Sequence, residues 1–224
     1  MISRAAKVFY YFTLSPFMRL NQFRHRLLGW QLRRSRLVHL GPGQKNYLQG
    51  WINVDANIFS SRPDIWADLR GRLPFPDSSV DAFYSHHVIE HLPDLDAHFR
   101  DMFRCLTPGG VVRVGGPHGD NAIRAFTEGR HEWFGDWPTR RRSLGGRFEN
   151  FIFCKGEHLT ILTESFMREL LEDAGFVSIR ACRPQESGSP QIFDEKIFQI
   201  EPCSDPSLPH TLLLEARKPS LGVL

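Results

Sequence analysis

From Leu37 onward, short apolar runs alternate with stretches whose apolar residues recur at helical spacing. A chain patterned this way is expected to fold as an α/β domain around a mostly parallel sheet, with helices on both faces. Leu37-Val38-His39-Leu40 reads as a first strand, stopped by Gly41-Pro42-Gly43, and 51–55, 64–67 and 81–85 read as the next three. Leu95, Phe99, Met102, Phe103 and Leu106 mark one face of a helix that ends at Thr107-Pro108-Gly109-Gly110, and 111–114 follows as a fifth strand. Thr163-Glu164-Ser165-Phe166 opens a later helix closed by Ala174-Gly175, and 177–179 and 211–215 complete a seven-stranded sheet. The stretch 116–160, rich in Gly, Arg and aromatics, reads as an irregular insertion, and 184–209 as a flexible connection. The length, 224 residues, suits one such domain over 37–220, preceded by an extension over 1–36.

That extension carries the charge. The formal net charge is +3, yet residues 1–54 hold nine Lys/Arg and no Asp or Glu, so a mildly acidic body follows a basic arm. Leu20, Phe23, Leu27 and Trp30 recur at helical spacing with arginines between them. Two readings stand side by side. One is a basic amphipathic helix, within residues 1–34, lying on an anionic membrane face. The other is a cap helix packed on the domain with its arginines in water. The apolar run at 8–14 is far short of the roughly 20 residues a spanning helix needs. Pro16 and the lack of a small-residue cleavage site count against a signal peptide. Cys105, Cys154, Cys182 and Cys203 are scattered without a C-x-x-C pair, which suits a reducing cytosol. The expectation is a cytoplasmic protein, with peripheral contact at the inner membrane face under the first reading.

The turn after the first strand, Gly41-Pro42-Gly43, allows a sharp reversal and the close approach of a ligand. Asp55 ends the next strand, where a carboxylate can accept hydrogen bonds from ribose hydroxyls. A plain glycine turn followed by a strand-end aspartate is the alternative. A dinucleotide site fits poorly, because no third glycine follows and Asp55 comes only 12 residues after Gly43.

Further motifs follow in order. They are Gly50-Trp51-Ile52-Asn53-Val54-Asp55, Asp68-Leu69, the run 73–81, His87-Val88-Ile89-Glu90-His91-Leu92, Leu106-Thr107-Pro108-Gly109-Gly110 and the run 170–176. Together with 37–43 they resemble class I S-adenosylmethionine-dependent methyltransferases, and in particular a compact bacterial branch often associated with cell-surface polysaccharide assembly. The resemblance implies a Rossmann-like sheet and S-adenosylmethionine as cofactor. It places Gly41 and Gly43 under the methionine portion, Asp55 on the ribose hydroxyls, and Asp68 on the adenine amino group with Leu69 against the ring. Ser85 and His86 would face the methionine amine and sulfonium.

A hydroxyl acceptor would need a base, and His86, His87, His118 and His158 are candidates because imidazole titrates near neutrality. His118, directly after the fifth strand, stands first and His86 second. The branch often has an aspartate at the position of His118. The string His87-Val88-Ile89-Glu90-His91 also matches H-x-x-E-H, a zinc hydrolase pattern, if a helix places His87 and His91 on one face. The methyltransferase frame accounts for the string without a metal, and none is expected.

Within 116–160, Arg124, Arg130, Arg140-Arg141-Arg142 and Arg147 are interleaved with Phe126, Trp133, Phe134, Trp137 and Phe148. Guanidinium groups favour phosphate or carboxylate and aromatic faces favour sugar rings, so an anionic glycan, a lipid-linked sugar or a small molecule would suit. Solvated loop arginines are the plainer alternative. No RNA-binding module or continuous basic stripe is visible, so nucleic acid is not expected. The resulting expectation is methyl transfer to a hydroxyl on a surface glycan or its lipid-linked precursor. Its rival is a non-catalytic cofactor-binding or scaffold protein at the membrane.

Overall fold

A computed structural model of the chain describes residues 4–59, 61–201, 203 and 205–220, without the side chains of residues 4, 5 and 30. The Trp30 side chain and residues 1–3 of the arm therefore lie outside the described ones. Seven strands form one sheet: β1 Leu37–Leu40, β2 Ile52–Asp55, β3 Ile65–Trp66, β4 Val80–His86, β5 Leu106–Pro117, β6 Val177–Cys182 and β7 Thr211–Arg217. Their order is β3-β2-β1-β4-β5-β7-β6. β1 to β5 run parallel, and β7 lies antiparallel between β5 and β6. Val38 pairs with Ile52 on one side and Phe83 on the other. The order reverses at β1 and β4, and the crevice outside their carboxyl ends is where open α/β sheets bind ligands.

One face is thickly covered. α2 Leu95–Cys105, capped by the Asp94 carboxylate accepting from Ala97 N (2.9 Å), buries Leu95, Phe99 and Met102. α5 Glu164–Asp173, capped by Thr163, buries Met167, Leu170 and Leu171 beside it. Their apolar sides meet Val38, Leu40, Phe83, Val112 and Val114 in the main core.

The other face is covered mostly by loop. No helix joins β1 to β2; residues 41–51 fold back with Leu48 and Trp51 against Tyr84 and Ala82. Buried Asn53 fixes this loop: its Oδ1 accepts from Leu48 N (3.0 Å) and its Nδ2 donates to Leu48 O (2.9 Å) and Trp51 O (3.1 Å).

Three expectations are corrected. The turn expected at 107–110 is inside β5, absorbed by a register irregularity between the Val80 and Ala82 pairings. The stretch 184–209 is not a loose connection. It carries α6 Glu195–Phe198, whose Ile197 is buried with Phe193 on the thin face. Its Glu201 also neutralises Arg113, a β5 arginine fully buried between Glu201 (2.6 Å) and Glu215 (2.6 Å). The insertion 116–160 is likewise built from α3 Gly119–Thr127 and α4 Leu144–Phe153, packed around Trp133, Phe134 and Ile152. Those aromatics bury each other, and side-chain caps at His118 and Ser143 start both helices.

The arm is α1 Arg4–Leu28, a single helix containing Pro16. Among the described residues no helix is long and apolar enough to cross a membrane.

Candidate functional site

The glycine turn, Asp55, Ser85, His86 and His118 all lie at or just beyond the carboxyl ends of β1, β2, β4 and β5. Gly41 takes φ +69°, and a Cβ there would lie 2.2 Å from Val88 Cγ2, so only glycine fits. Gly43, at φ +57°, faces open space and donates its N–H to Asp55 Oδ2 (3.0 Å). Asp55 Oδ1 accepts from Asn57 N (2.9 Å), so the turn and the strand end share one carboxylate. Burial raises the Asp55 pKa against these hydrogen bonds.

At the end of β4, Ser85 and His86 are buried, and Ser85 Oγ and His86 Nε2 have no hydrogen-bond partner. Buried orphans of this kind, beside a glycine cradle, fit a ligand with complementary polar groups. Burial first, then the neighbouring His87, His39 and Arg113, push the His86 pKa down to about 2. His86 is therefore neutral near pH 7 and too weakly basic to collect a proton, though free to form hydrogen bonds.

Asp68 and Leu69, just past β3, are buried, and Leu69 belongs to the main core. The Asp68 carboxylate is already engaged: Arg70 donates from Nε (2.8 Å) and Nη2 (2.7 Å), and Ser15 of α1 donates its hydroxyl. α1 lies across this end of the sheet. Tyr10 donates to Ala56 O, Asn21 to Trp66 O (2.9 Å), Gln22 to Asp68 O (3.0 Å), and Lys7 pairs with Glu157. The Arg70 guanidinium stacks over Tyr11, 3.6 Å from the ring centroid.

The histidines separate by their hydrogen bonds. His118 caps α3, its Nδ1 accepting from Asn121 N (3.4 Å), which leaves the proton of the neutral ring on Nε2. In that tautomer the remaining ring nitrogen is a donor rather than a lone pair. His91 and His158 show the reverse arrangement. Their Nδ1 atoms donate to Glu157 O (2.8 Å) and Ile152 O (2.9 Å), so in a neutral ring Nε2 is the accepting nitrogen, and His91 Nε2 lies 3.9 Å from Glu90 Oε1.

The segment carrying H-x-x-E-H is not a helix, which removes the premise of the zinc hydrolase reading. Only Ile89–His91 form a 3-10 turn, and His87 precedes it at φ +56°. His87 instead donates from Nδ1 to Glu90 Oε1 (3.1 Å). Glu90 is buried, and its Oε2 has no partner. Burial opposes its charge, but the hydrogen bond from His87 and the nearby imidazoles outweigh it and hold the carboxyl below its ordinary range. Ligating atoms of Glu90, His91 and His158 come within 4.8 Å of one another. The sequence placed these residues 68 positions apart at most, and only the return of the chain after α4 joins them.

In the insertion the expected acceptor residues divide between core and surface, with Arg124, Phe126, Trp137 and Arg140, Arg141 and Arg142 exposed. Trp133 and Phe134 are core, Arg130 pairs with Asp205 (2.7 Å), Arg124 with Glu128 (2.7 Å), and Arg147 with Asp136 (3.1 Å). Arg140, Arg141 and Arg142 are exposed and form no ion pair among the described residues. Their backbone is held where Arg147 donates to Arg141 O (3.2 Å) and His131 to Arg142 O (2.8 Å). Trp137, 68% exposed, stands close by in sequence.

Residues 56–114 match the family model described as a methyltransferase domain. A 115-residue stretch is 35% identical to a probable S-adenosylmethionine-dependent methyltransferase of Mycolicibacterium smegmatis, covering 51% of this chain and 35% of that protein. Another, of 43 residues, is 44% identical to the sterol 24-C-methyltransferase of Aspergillus fumigatus, covering 19% of this chain and 11% of that protein. The chain thus spans about a third or less of the length of these curated relatives. The solved structure of a SAM-dependent methyltransferase from Archaeoglobus fulgidus has the same fold, with TM-score 0.51 and 14% identity over 90% of this chain and 99% of that one.

Proposed function

We propose that this chain, whose fold and 56–114 segment are those of S-adenosylmethionine-dependent methyltransferases, transfers a methyl group from S-adenosylmethionine to a hydroxyl on a glycan or lipid-linked sugar. The observation that carries the reading is the coincidence, at the β1–β4 reversal, of a Cβ-free cradle at Gly41 with the Asp55 carboxylate and the orphaned Ser85 Oγ and His86 Nε2.

In this reading Gly41 and Gly43 underlie the methionine portion, Asp55 holds the ribose hydroxyls, and Ser85 and His86 meet the polar groups near the sulfonium. The bound cofactor supplies an electrophilic methyl group, so the protein's main task is to align the acceptor. Asp68 takes the adenine amino group only if it exchanges the hydroxyl of Ser15, and Leu69 supports that loop from the core. We assign the acceptor's proton to Nε2 of His158, beside Glu90, whose negative charge stabilises the imidazolium that forms. The exposed Arg140-Arg141-Arg142 group and Trp137 suit a phosphate-bearing sugar.

Calorimetry with S-adenosylmethionine tests the first half. Binding by the parent that is lost in Asp55→Ala supports it, and absence of binding in both sinks the reading. Transfer of labelled methyl into lipid-linked saccharide extracts tests the second. Binding without transfer to any such extract would favour a cofactor-binding scaffold.

A further inference from the structure

α1 is amphipathic the wrong way round for a helix that merely caps a domain. The face turned toward the body carries Lys7, Tyr10, Tyr11, Ser15, Asn21, Gln22 and His25, with Leu14 and Met18 among them. At about 100° per residue the opposite arc carries Phe9, Phe12, Phe17, Leu20, Phe23 and Leu27. These six are exposed, Leu20 at 60% and Leu27 at 67%. The apolar residues recognised by their helical spacing thus face solvent, while polar ones make the contacts with the sheet.

The patch does not end at the helix. Phe59, from the loop after β2, meets Tyr10 edge-on at 5.9 Å and is itself 79% exposed. Arg19 and Arg26 flank the apolar arc on one side, Arg24 stands within it between Leu20 and Phe17, and the exposed Arg33 and Arg34 follow the helix. No acidic residue occurs anywhere in 1–54.

This composition selects among occupants. A second copy packed helix to helix would set arginine rows against each other with no carboxylate on either α1 to neutralise them. An anionic lipid surface supplies negative charge along the flanks and an apolar layer for the rings between them. The helix is about 37 Å long at 1.5 Å per residue and is pinned along its polar side, so it can lie flat without leaving the body.

We propose that the outer face of α1, with Phe59, docks on an anionic phospholipid bilayer, the helix axis parallel to the surface. Since α1 reaches from Asp68 past β3 to Glu157 beside His91 and His158, docking holds the carboxyl-end crevice at the lipid surface. A lipid-linked acceptor would meet the site there. That consequence rests on the methyl-transfer reading, whereas docking itself does not.

The test is co-sedimentation of the full chain with phosphatidylcholine vesicles made with and without phosphatidylglycerol. Binding is expected only with phosphatidylglycerol and should collapse in about 1 M salt, where screening acts within roughly 3 Å. Arg19→Glu/Arg24→Glu and Leu20→Asp/Leu27→Asp each alter only exposed side chains, and each should weaken binding by about tenfold or more while circular dichroism is unchanged. Failure of the parent to bind at low salt, or equal binding by parent and both variants, overturns the proposal. So does a dimer in sedimentation velocity that Leu20→Asp/Leu27→Asp splits into monomers, because a second copy would then own the face. Calorimetry with S-adenosylmethionine on the same samples separates the two readings. Vesicle binding lost with cofactor binding kept overturns docking alone, and the converse overturns methyl transfer alone.

Discussion

Ser15, halfway along α1, donates its hydroxyl to Oδ2 of Asp68 just beyond β3, so the basic arm and the ligand-binding end of the sheet share one buried carboxylate. Burial raises the Asp68 pKa, but hydrogen bonds from Arg70 and Ser15 and the Arg70 charge outweigh it and hold the carboxyl below 3.8. The charged form is therefore favoured by folding. Its contribution is complete above the unfolded value and is lost as pH falls through the lower folded one. Asp68→Asn should cost about 1–3 kcal/mol near neutral pH. The melting-temperature gap to the parent should hold from about pH 7 to 5 and close below about pH 4. A gap that persists in acid would mean that shape, not charge, matters there.

Gly41 and Gly43 both sit in the left-handed region, but only Gly41 is crowded by Val88. Gly43→Ala should cost about 1–2 kcal/mol, the left-handed penalty alone. Gly41→Ala should cost more, and adding Val88→Ala should return the excess. Urea midpoints of the three variants decide this; equal costs for the two glycines would remove Val88 from the account.

Removing Arg113 would leave Glu201 and Glu215 buried without their cation. Arg113→Met is expected to lose about 3–5 kcal/mol in urea denaturation. A loss under about 1 kcal/mol, the scale of an exposed pair, would mean that water reaches this site.

The exposed arginines beside Trp137 predict an acceptor effect. Arg140→Ala/Arg141→Ala/Arg142→Ala should raise KM for a phosphate-bearing acceptor by about tenfold, with S-adenosylmethionine affinity unchanged. An unchanged KM would leave these arginines as solvated surface.

His118 and His158 should part ways. Loss of the α3 cap in His118→Ala should lower stability by about 0.5–2 kcal/mol, with Asn restoring it, since Asn also caps well. His158→Ala should lower turnover by about 10²–10⁴-fold while cofactor binding remains. A turnover loss in His118→Asn instead would return the proton to His118.

Much of the fold was legible because burial imposes period on a chain: β1, β4 and α5 follow from apolar spacing and caps alone. The glycine turn and Asp55 were legible too, because a sharp reversal at a strand end requires particular residues locally. Contacts distant in the chain left no such trace. Nothing local in Glu201 announces its role as counter-ion to Arg113, and the Glu90, His91 and His158 group exists only once α4 brings 158 back to β4.

By itself, then, the sequence determined the strands and helices of the alternating α/β frame, though not α3, α4 or α6, and that the arm is basic and acid-free, since propensity, periodicity and charge belong to neighbouring residues. Only the tertiary structure decided which side of α1 faces the domain. Helical spacing groups Leu20, Phe23 and Leu27 on one face but is silent about direction. The polar partners offered by Ala56, Trp66 and Asp68 drew the hydrogen-bonding face inward and left the apolar face outside.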